Sequence, residues 1–311
     1  MKILLAVDGS ESSLAAVEEA ARTPWPEGSV VRIVSAAEVP FPTQHWAAPM
    51  PSGSYEEWAR IFEERSLENT AQAMAQFGEI AGSQTEATAK TLKGDPKIAI
   101  LDEAEHWGAD LIVVGTHGYN ALERLWLGSV SRAVATHAKC SVEIARRRNS
   151  QGAGEKAMRI LLAVDGSEFS DAAVEEIANR PWPQGSEVHA ISVIRLPFTP
   201  NDETRSLPES YYFKLENAER ERAESAINGA IARLRGSDAE RDTPLMLTSE
   251  VIVGRPAETI IETAKSRRAE LVVLGSHGYS GFMRFLLGSV SYAVASHAPC
   301  SVEIVRKPMQ I

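Results

Sequence analysis

The chain has 311 residues, of which 44 % are apolar and 24 % charged, and its formal net charge is −10. That profile suits an ordinary soluble globular protein of two domains at roughly 100–200 residues each, and the acidic balance argues against nucleic acid, a polyanion whose binders present a basic face. No apolar run approaches the roughly 20 residues that span a bilayer, and the opening apolar stretch meets Asp8 too soon for a signal peptide, so no membrane partner and a cytoplasmic location are expected.

Residues 3–7 form a continuous apolar run, the pattern of a strand buried on both faces. Asp8-Gly9-Ser10-Glu11 then reads as a helix start, with Leu14, Val17 and Ala21 at helical spacing and Pro24-Trp25-Pro26 as the stop. Residues 30–36 read as a second strand, and 38–53, with four prolines, as an irregular, mobile segment. A long helix is expected over about 55–77, a third strand over 86–92, and a third helix from Gly94-Asp95-Pro96. Residues 111–114 form a fourth strand ending at Gly115; a helix starts near Gly128-Ser129, and 142–144 lie in a fifth strand.

The whole pattern occurs twice. LLAVDGSE stands at 4–11 and again at 161–168, so Asp8 and Asp165 lie 157 positions apart; Gly115-Thr116-His117-Gly118-Tyr119 returns 160 positions on as Gly275-Ser276-His277-Gly278-Tyr279. Leu127-Gly128-Ser129-Val130-Ser131 recurs at 287–291, and Cys140-Ser141-Val142-Glu143-Ile144 at 300–304. The two cysteines, Cys140 and Cys300, are thus one position seen twice. They make no disulfide framework and read as small buried hydrophobes. Arg146-Arg147-Arg148 opens a polar, glycine-rich stretch, which gives domains over 1–148 and 158–311 joined by a linker over 149–157.

Alternating strands and helices imply an α/β fold, an open parallel sheet with helices on both faces in each copy. In such sheets a ligand binds beyond the C-terminal strand ends, where the strand order reverses. For the order 3-2-1-4-5 that point lies between the first and fourth strands, where Asp8 and Gly115 stand. The repeated loop there reads Gly115-x-x-Gly118, nine residues, Gly128-Ser129, and Gly275-x-x-Gly278, nine residues, Gly288-Ser289. Glycines let backbone N–H groups approach phosphate oxygens. Ser129 and Ser131, with Ser289 and Ser291, fall in the first turn of a helix, whose free N–H groups and dipole favour an anion. The same glycines also suit tight packing of strand on helix.

Both halves resemble universal stress protein domains of the ATP-binding subgroup, through the strand-end Asp of AVDGS, the glycine–serine loop and the closing SVEI strand; the resemblance covers nearly the whole chain outside the linker. It implies two tandem Rossmann-like, adenine-nucleotide-binding domains, each a five-stranded parallel sheet flanked by helices, with ATP on the loop. By position it puts phosphate contacts on Gly115, Gly118, Gly128, Ser129, Val130 and Ser131, and on Gly275, Gly278, Gly288, Ser289, Val290 and Ser291. Asp8 and Asp165 fall near adenine and ribose, and Ala36 and Val193 on the adenine side. It also implies pairing of domains through their last strands, near Val142 and Val302, between the two copies or in a further homodimer.

Other residues carry open alternatives. Asp8 and Asp165 suit helix capping, ribose binding, or holding Mg²⁺ through water. Arg124 and Arg284 suit a terminal phosphate or a surface ion pair. His117 and His277 lie in the loops with no second metal-ligand residue at suitable spacing, and read better as structural hydrogen-bonding groups than as metal ligands. Trp25 and Trp182 read as packing anchors. No Gly-x-x-x-x-Gly-Lys-Ser/Thr loop occurs, and no lysine lies between Gly115 and Ser131 or between Gly275 and Ser291. The expected function is an ATP-dependent stress-response regulator acting on a signalling partner. The alternative is a slow ATPase or autophosphorylating enzyme, with Asp8, Asp165, Arg124 and Arg284 as its working parts and Ser129 or Ser289 as phosphoryl acceptor.

Overall fold

The structure, a computed structural model, describes residues 1–38, 54–82, 85–118, 127–147, 157–196, 209–238, 244–278 and 287–307. The expected irregular stretch at 39–53, most of the expected linker (149–156), Arg124 and Arg284 lie outside these residues. The chain divides into two compact units, Met1–Arg147 and Arg148–Ile311.

The first unit runs β1 (Lys2–Ala6), α1 (Glu11–Arg22), β2 (Val30–Ala37), α2 (Ser54–Ala81), β3 (Glu86–Lys93), α3 (Pro96–Trp107), β4 (Leu111–Gly115), α4 (Ser129–His137) and β5 (Ser141–Ala145). Its strands are parallel in the order β3-β2-β1-β4-β5. β1 is central because helices cover both its faces: Ile3, Leu4 and Leu5 are completely buried. It has β2 on one side and β4 on the other, with Ile3 opposite Val31 and Leu111. The order therefore reverses between β1 and β4, and both strands end on the same edge.

The second unit repeats the plan with β6 (Arg159–Ala163), α5 (Glu168–Asn179), β7 (Glu187–Ile194), α6 (Glu209–Asp238), β8 (Met246–Val253), α7 (Pro256–Ser266), β9 (Leu271–Gly275), α8 (Ser289–His297) and β10 (Ser301–Val305). Its order is β8-β7-β6-β9-β10, again parallel. Among the described residues no helix is long and apolar enough to cross a membrane.

Local signals account for the helix ends. Asp95 caps α3 by accepting from the Lys97 N–H at 2.8 Å, with Pro96 in the first turn, and Gly108 closes the helix at φ +70. α2 outruns its sequence-based end at 77: it passes through Gly78 and stops at Ala81, where Gly82 takes φ +59. A glycine inside a helix costs about 1 kcal/mol, which the burial of Phe77 and Ala81 in the core easily offsets. Trp25 and Trp182 close the two cores, each donating its indole N–H to a carbonyl of the preceding helix, Ala20 and Ile177, at 2.7 and 2.9 Å.

The second unit also buries a charge pair. Arg180, just past α5, donates to Glu176 at 2.6 Å and to Glu303 of β10 at 3.0 Å, with Arg180 only 1 % and Glu303 0 % exposed. Burial pushes the Glu303 carboxyl up to about 7; Arg180 opposes the shift, and the neighbouring Glu176 adds to it. The same position in the first unit is Thr23, whose hydroxyl instead donates to the Glu19 carbonyl at 2.8 Å. A group whose folded value is raised contributes stability below its unfolded value near 4.5 and loses it as pH rises toward 7. Replacing Arg180 with Leu leaves Glu303 buried without that cation. The expected loss is about 3–5 kcal/mol at pH 8 and less at pH 5, where the carboxyl takes a proton; urea titrations at the two pH values check this.

Candidate functional site

The strand-end motifs meet at the C-terminal edge of each sheet. In the first unit Asp8 follows β1 and opens a tight turn: its Oδ1 accepts from the Ser10 N–H at 3.0 Å and the Ser10 hydroxyl at 2.6 Å. The capping role that Asp8 and Asp165 were suited to falls to their neighbours. Ser10 caps α1 by accepting from the Ser13 N–H, and Ser167 caps α5 by accepting from the Ser170 N–H, each at 3.2 Å. The carboxylates stand one turn earlier and face the glycine loop. A methyl group on Gly118 would come within 2.8 Å of Asp8 Oδ2, and one on Gly278 within 2.6 Å of Asp165 Oδ2. The Ser167 hydroxyl closes the turn onto the loop by donating to the His277 carbonyl at 3.4 Å, while the Ser10 hydroxyl shares its one proton between Asp8 Oδ1 and, more distantly at 3.3 Å, the His117 carbonyl.

The last helix of each unit is tied to this loop. The Gly128 N–H donates to the Thr116 carbonyl at 2.8 Å, and Gly288 to Ser276 at 2.9 Å. Gly128 and Gly288 are the helix caps and have no side chain to offer the first turn. Among the described residues nothing accepts from the backbone N–H groups of Ser129, Val130 and Ser131 or of Ser289, Val290 and Ser291, which are orphan donors of a helix N-terminus. Gly128 is also packed backbone to backbone, since a methyl group there would meet His117 Cα at 3.2 Å. These are the donor set and the close approach that a phosphate group needs, with the helix dipole behind them.

The other expected contacts fall unevenly. Ser131 and Ser291 are buried, and their hydroxyls donate to the carbonyls of Gly115 and Gly275 at 2.6 and 2.8 Å. What these serines can present to a ligand is therefore the backbone N–H, not the hydroxyl proton. Gly115 and Gly275 are packing glycines: a methyl group would lie 2.6 Å from the Ser12 carbonyl oxygen or 2.7 Å from the Phe169 carbonyl carbon, inside α1 and α5. Their side-chain faces are thus taken up by helix packing, which leaves only their backbone groups for a ligand. Ala36 and Val193 are half-buried near the ends of β2 and β7, opposite Leu92 and Ile252. Among the described residues, the rings of His117 and His277 each bury an Nε2 that finds no hydrogen-bond partner. Burial, and then Arg306, holds His277 below the ordinary histidine value, so it is neutral near pH 7.

Three contributors escaped sequence reasoning. Ser12 accepts the His117 N–H at 3.1 Å and bonds Thr116 Oγ1 at 3.1 Å. Phe169, at the same place in the second unit, packs its ring on His277 with centroids 5.1 Å apart. Asn69 of α2 lies against Gly9, where a methyl group would meet its Oδ1 at 2.5 Å. None of the three left a local signal; Ser10 in DGSE did, as a residue that caps a helix as well as the Asp two places before it.

The fold is a doubly wound parallel α/β sheet with a glycine turn and, among the described residues, an uncapped helix at its switch point. The comparisons give its family. The universal stress protein family matches residues 1–146 and again 156–306, and the chain belongs to it, as a tandem member. It is 30 % identical over 313 aligned positions to a universal stress protein of Mycolicibacterium smegmatis, with 98 % of this chain and 96 % of that one covered. A universal stress protein of Mycobacterium tuberculosis is 29 % identical with similar coverage, 98 % and 97 %. Among solved structures, a universal stress protein from Archaeoglobus fulgidus shares the fold with a TM-score of 0.61 at 21 % identity, covering 98 % of this chain and 96 % of that one.

The glycines separate into two kinds by stability. Gly115→Ala drives a methyl group into the backbone of α1, so a loss of about 1–3 kcal/mol is expected, as for overpacking elsewhere. Gly118→Ala presses on the end of the Asp8 side chain rather than on backbone and strains the Ser10 bonds that hold it, so a smaller loss of about 0.5–1 kcal/mol is expected. Chemical denaturation of the two variants checks the contrast.

Proposed function

We propose that each copy binds ATP at this edge, and that occupancy sets the state in which the chain acts as a stress-response regulator on a signalling partner. The observation that carries the reading is the uncapped first turn of α4 and of α8, three consecutive N–H donors aimed past a glycine cradle. The phosphates take Gly118, Gly128 and the N–H groups of Ser129, Val130 and Ser131 in the first copy, and Gly278, Gly288, Ser289, Val290 and Ser291 in the second. Asp8 and Asp165, lying against the loop, accept from the ribose hydroxyls, and Mg²⁺ travels with the phosphates, met by the same carboxylates through water. The adenine lies toward Ala36 and Val193. Arg124 and Arg284, in the loops, are suited to the terminal phosphate. Membership of the family supports the reading, and so does the sequence of the loops, which lack the lysine of the common NTPase arrangement and so favour holding over turnover.

Proline at the first helical position tests it, because that position has no helix partner for its N–H and Gly128 already holds an extended φ −57, ψ 157. Ser129→Pro and Ser289→Pro should each leave the melting temperature nearly unchanged and weaken Mg-ATP at their own site by about 10- to 100-fold, the worth of one charge-assisted hydrogen bond. Ser129→Ala, which keeps the N–H, should bind far better than the proline variant. Calorimetric titration of the wild type should give two nucleotides per chain. No binding at millimolar Mg-ATP would end the reading, and ATP recovered as ADP in step with enzyme concentration would move it to a slow ATPase.

A further inference from the structure

The two loops share a sequence motif but are braced from behind in different ways. In the first copy the braces are polar. Ser12 Oγ takes the His117 N–H and bonds Thr116 Oγ1. The Asn69 carboxamide lies on Gly9, its Nδ2 donating to Ser35 Oγ at 3.4 Å, while the Ser66 hydroxyl donates to the Ser35 carbonyl at 2.8 Å. The loop after β4 is thus fixed to α1 by directional hydrogen bonds, and the turn after β1 packs on an α2 carboxamide that is itself hydrogen-bonded to β2.

In the second copy the same positions hold Phe169, Ala226 and Ala223. A methyl group added to Gly166 would find only the Ala226 methyl group among the described residues, at 3.4 Å. Phe169 offers the loop a ring and no acceptor; the Ser276 hydroxyl turns to the neighbouring His277 Nδ1 at 3.2 Å. Among the described residues no acceptor stands opposite the backbone N–H of His277, although that residue is 93 % shielded (7 % exposed). A loop whose backbone lacks that brace is held less firmly. A loop held less firmly spends a smaller fraction of its time in the binding geometry, and apparent affinity falls by that fraction.

We propose that Ser12 and Asn69 are positioning residues that make the first copy the tighter nucleotide site, and that Phe169 and Ala226 make the second copy the weaker one, which fills and empties as nucleotide concentration changes. The proposal rests on the ATP-binding reading above and adds a rank order to it. The first copy would act as a permanently filled support, and the second as the responsive element.

Titration of the whole chain with Mg-ATP should resolve two classes of site separated by about tenfold, the effect of one neutral hydrogen bond at the upper end of its range. Ser129→Pro should remove the tight class and Ser289→Pro the weak one. Ser12→Ala and Asn69→Ala should each weaken the tight class by about three- to tenfold with the weak class unmoved. Ser12→Thr, which keeps the hydroxyl, should retain wild-type binding, and this separates positioning from a general loss of packing. Ala226→Asn is the gain-of-function arm and should tighten the weak class. Two equal classes, a tight class that survives Ser129→Pro, or Ser12→Ala binding like the wild type would each overturn the rank order while leaving ATP binding in place. A wild-type chain that binds no nucleotide would remove both.

Discussion

In each copy the last helix hangs from the end of the strand before it. The Ser131 hydroxyl reaches back to the Gly115 carbonyl at 2.6 Å, and Gly128 gives its N–H to Thr116 at 2.8 Å; Ser291, Gly275, Gly288 and Ser276 repeat both bonds. Those two ties hold the helix start against the switch point of the sheet while leaving its first three N–H groups uncovered. A side-chain cap at Gly128 would satisfy those donors internally and close the site. The site therefore depends on a glycine where most helices place Ser, Thr, Asp or Asn.

The other parts serve that arrangement. The buried strand β1 delivers Asp8 to the same edge as Gly115, and Ser10 anchors both the carboxylate and the carbonyl of His117. Gly115 carries no side chain because α1 needs the space, and that close approach brings the start of α1 beside the loop. The helix–strand packing and the placing of the loop are consequences of one contact. The duplicated copy keeps the strand-end Asp, the glycines and both ties of the last helix, and it differs in the layer behind them, where Ser12 and Asn69 give way to Phe169 and Ala226. Variation placed there can change how firmly a loop is held without changing what the loop presents.

Much of this was legible in the sequence, because the signals are local and repeated. The run at residues 3–7 reads as a doubly covered strand, and the duplication points to two like domains. The strand order placed Asp8 and Gly115 together before any coordinates. What the sequence hid was nonlocal. That Gly115 faces α1 depends on a carbonyl more than a hundred residues away, and nothing near Gly115 reports it. Ser131 reads as an anion donor from its place in a first helical turn, yet its proton goes to a strand carbonyl that no periodicity reveals. Asn69 sits in the middle of a long helix whose polar residues mostly face water. The shift of the cap from Asp8 to Ser10 is a smaller miss of another kind, since both residues fit the role and only backbone geometry chooses between them.

The central claim is that ATP is held by the backbone amides at the start of α4 and α8. Hydrogen exchange with and without Mg-ATP, resolved to the amides of Ser129, Val130 and Ser131 and of Ser289, Val290 and Ser291, tests it most directly. The account predicts slowed exchange at these six positions on binding, with little change at the opposite ends of the same helices, near His137 and His297. Binding that leaves these amides exchanging at their free rate while protecting another part of the chain would contradict it.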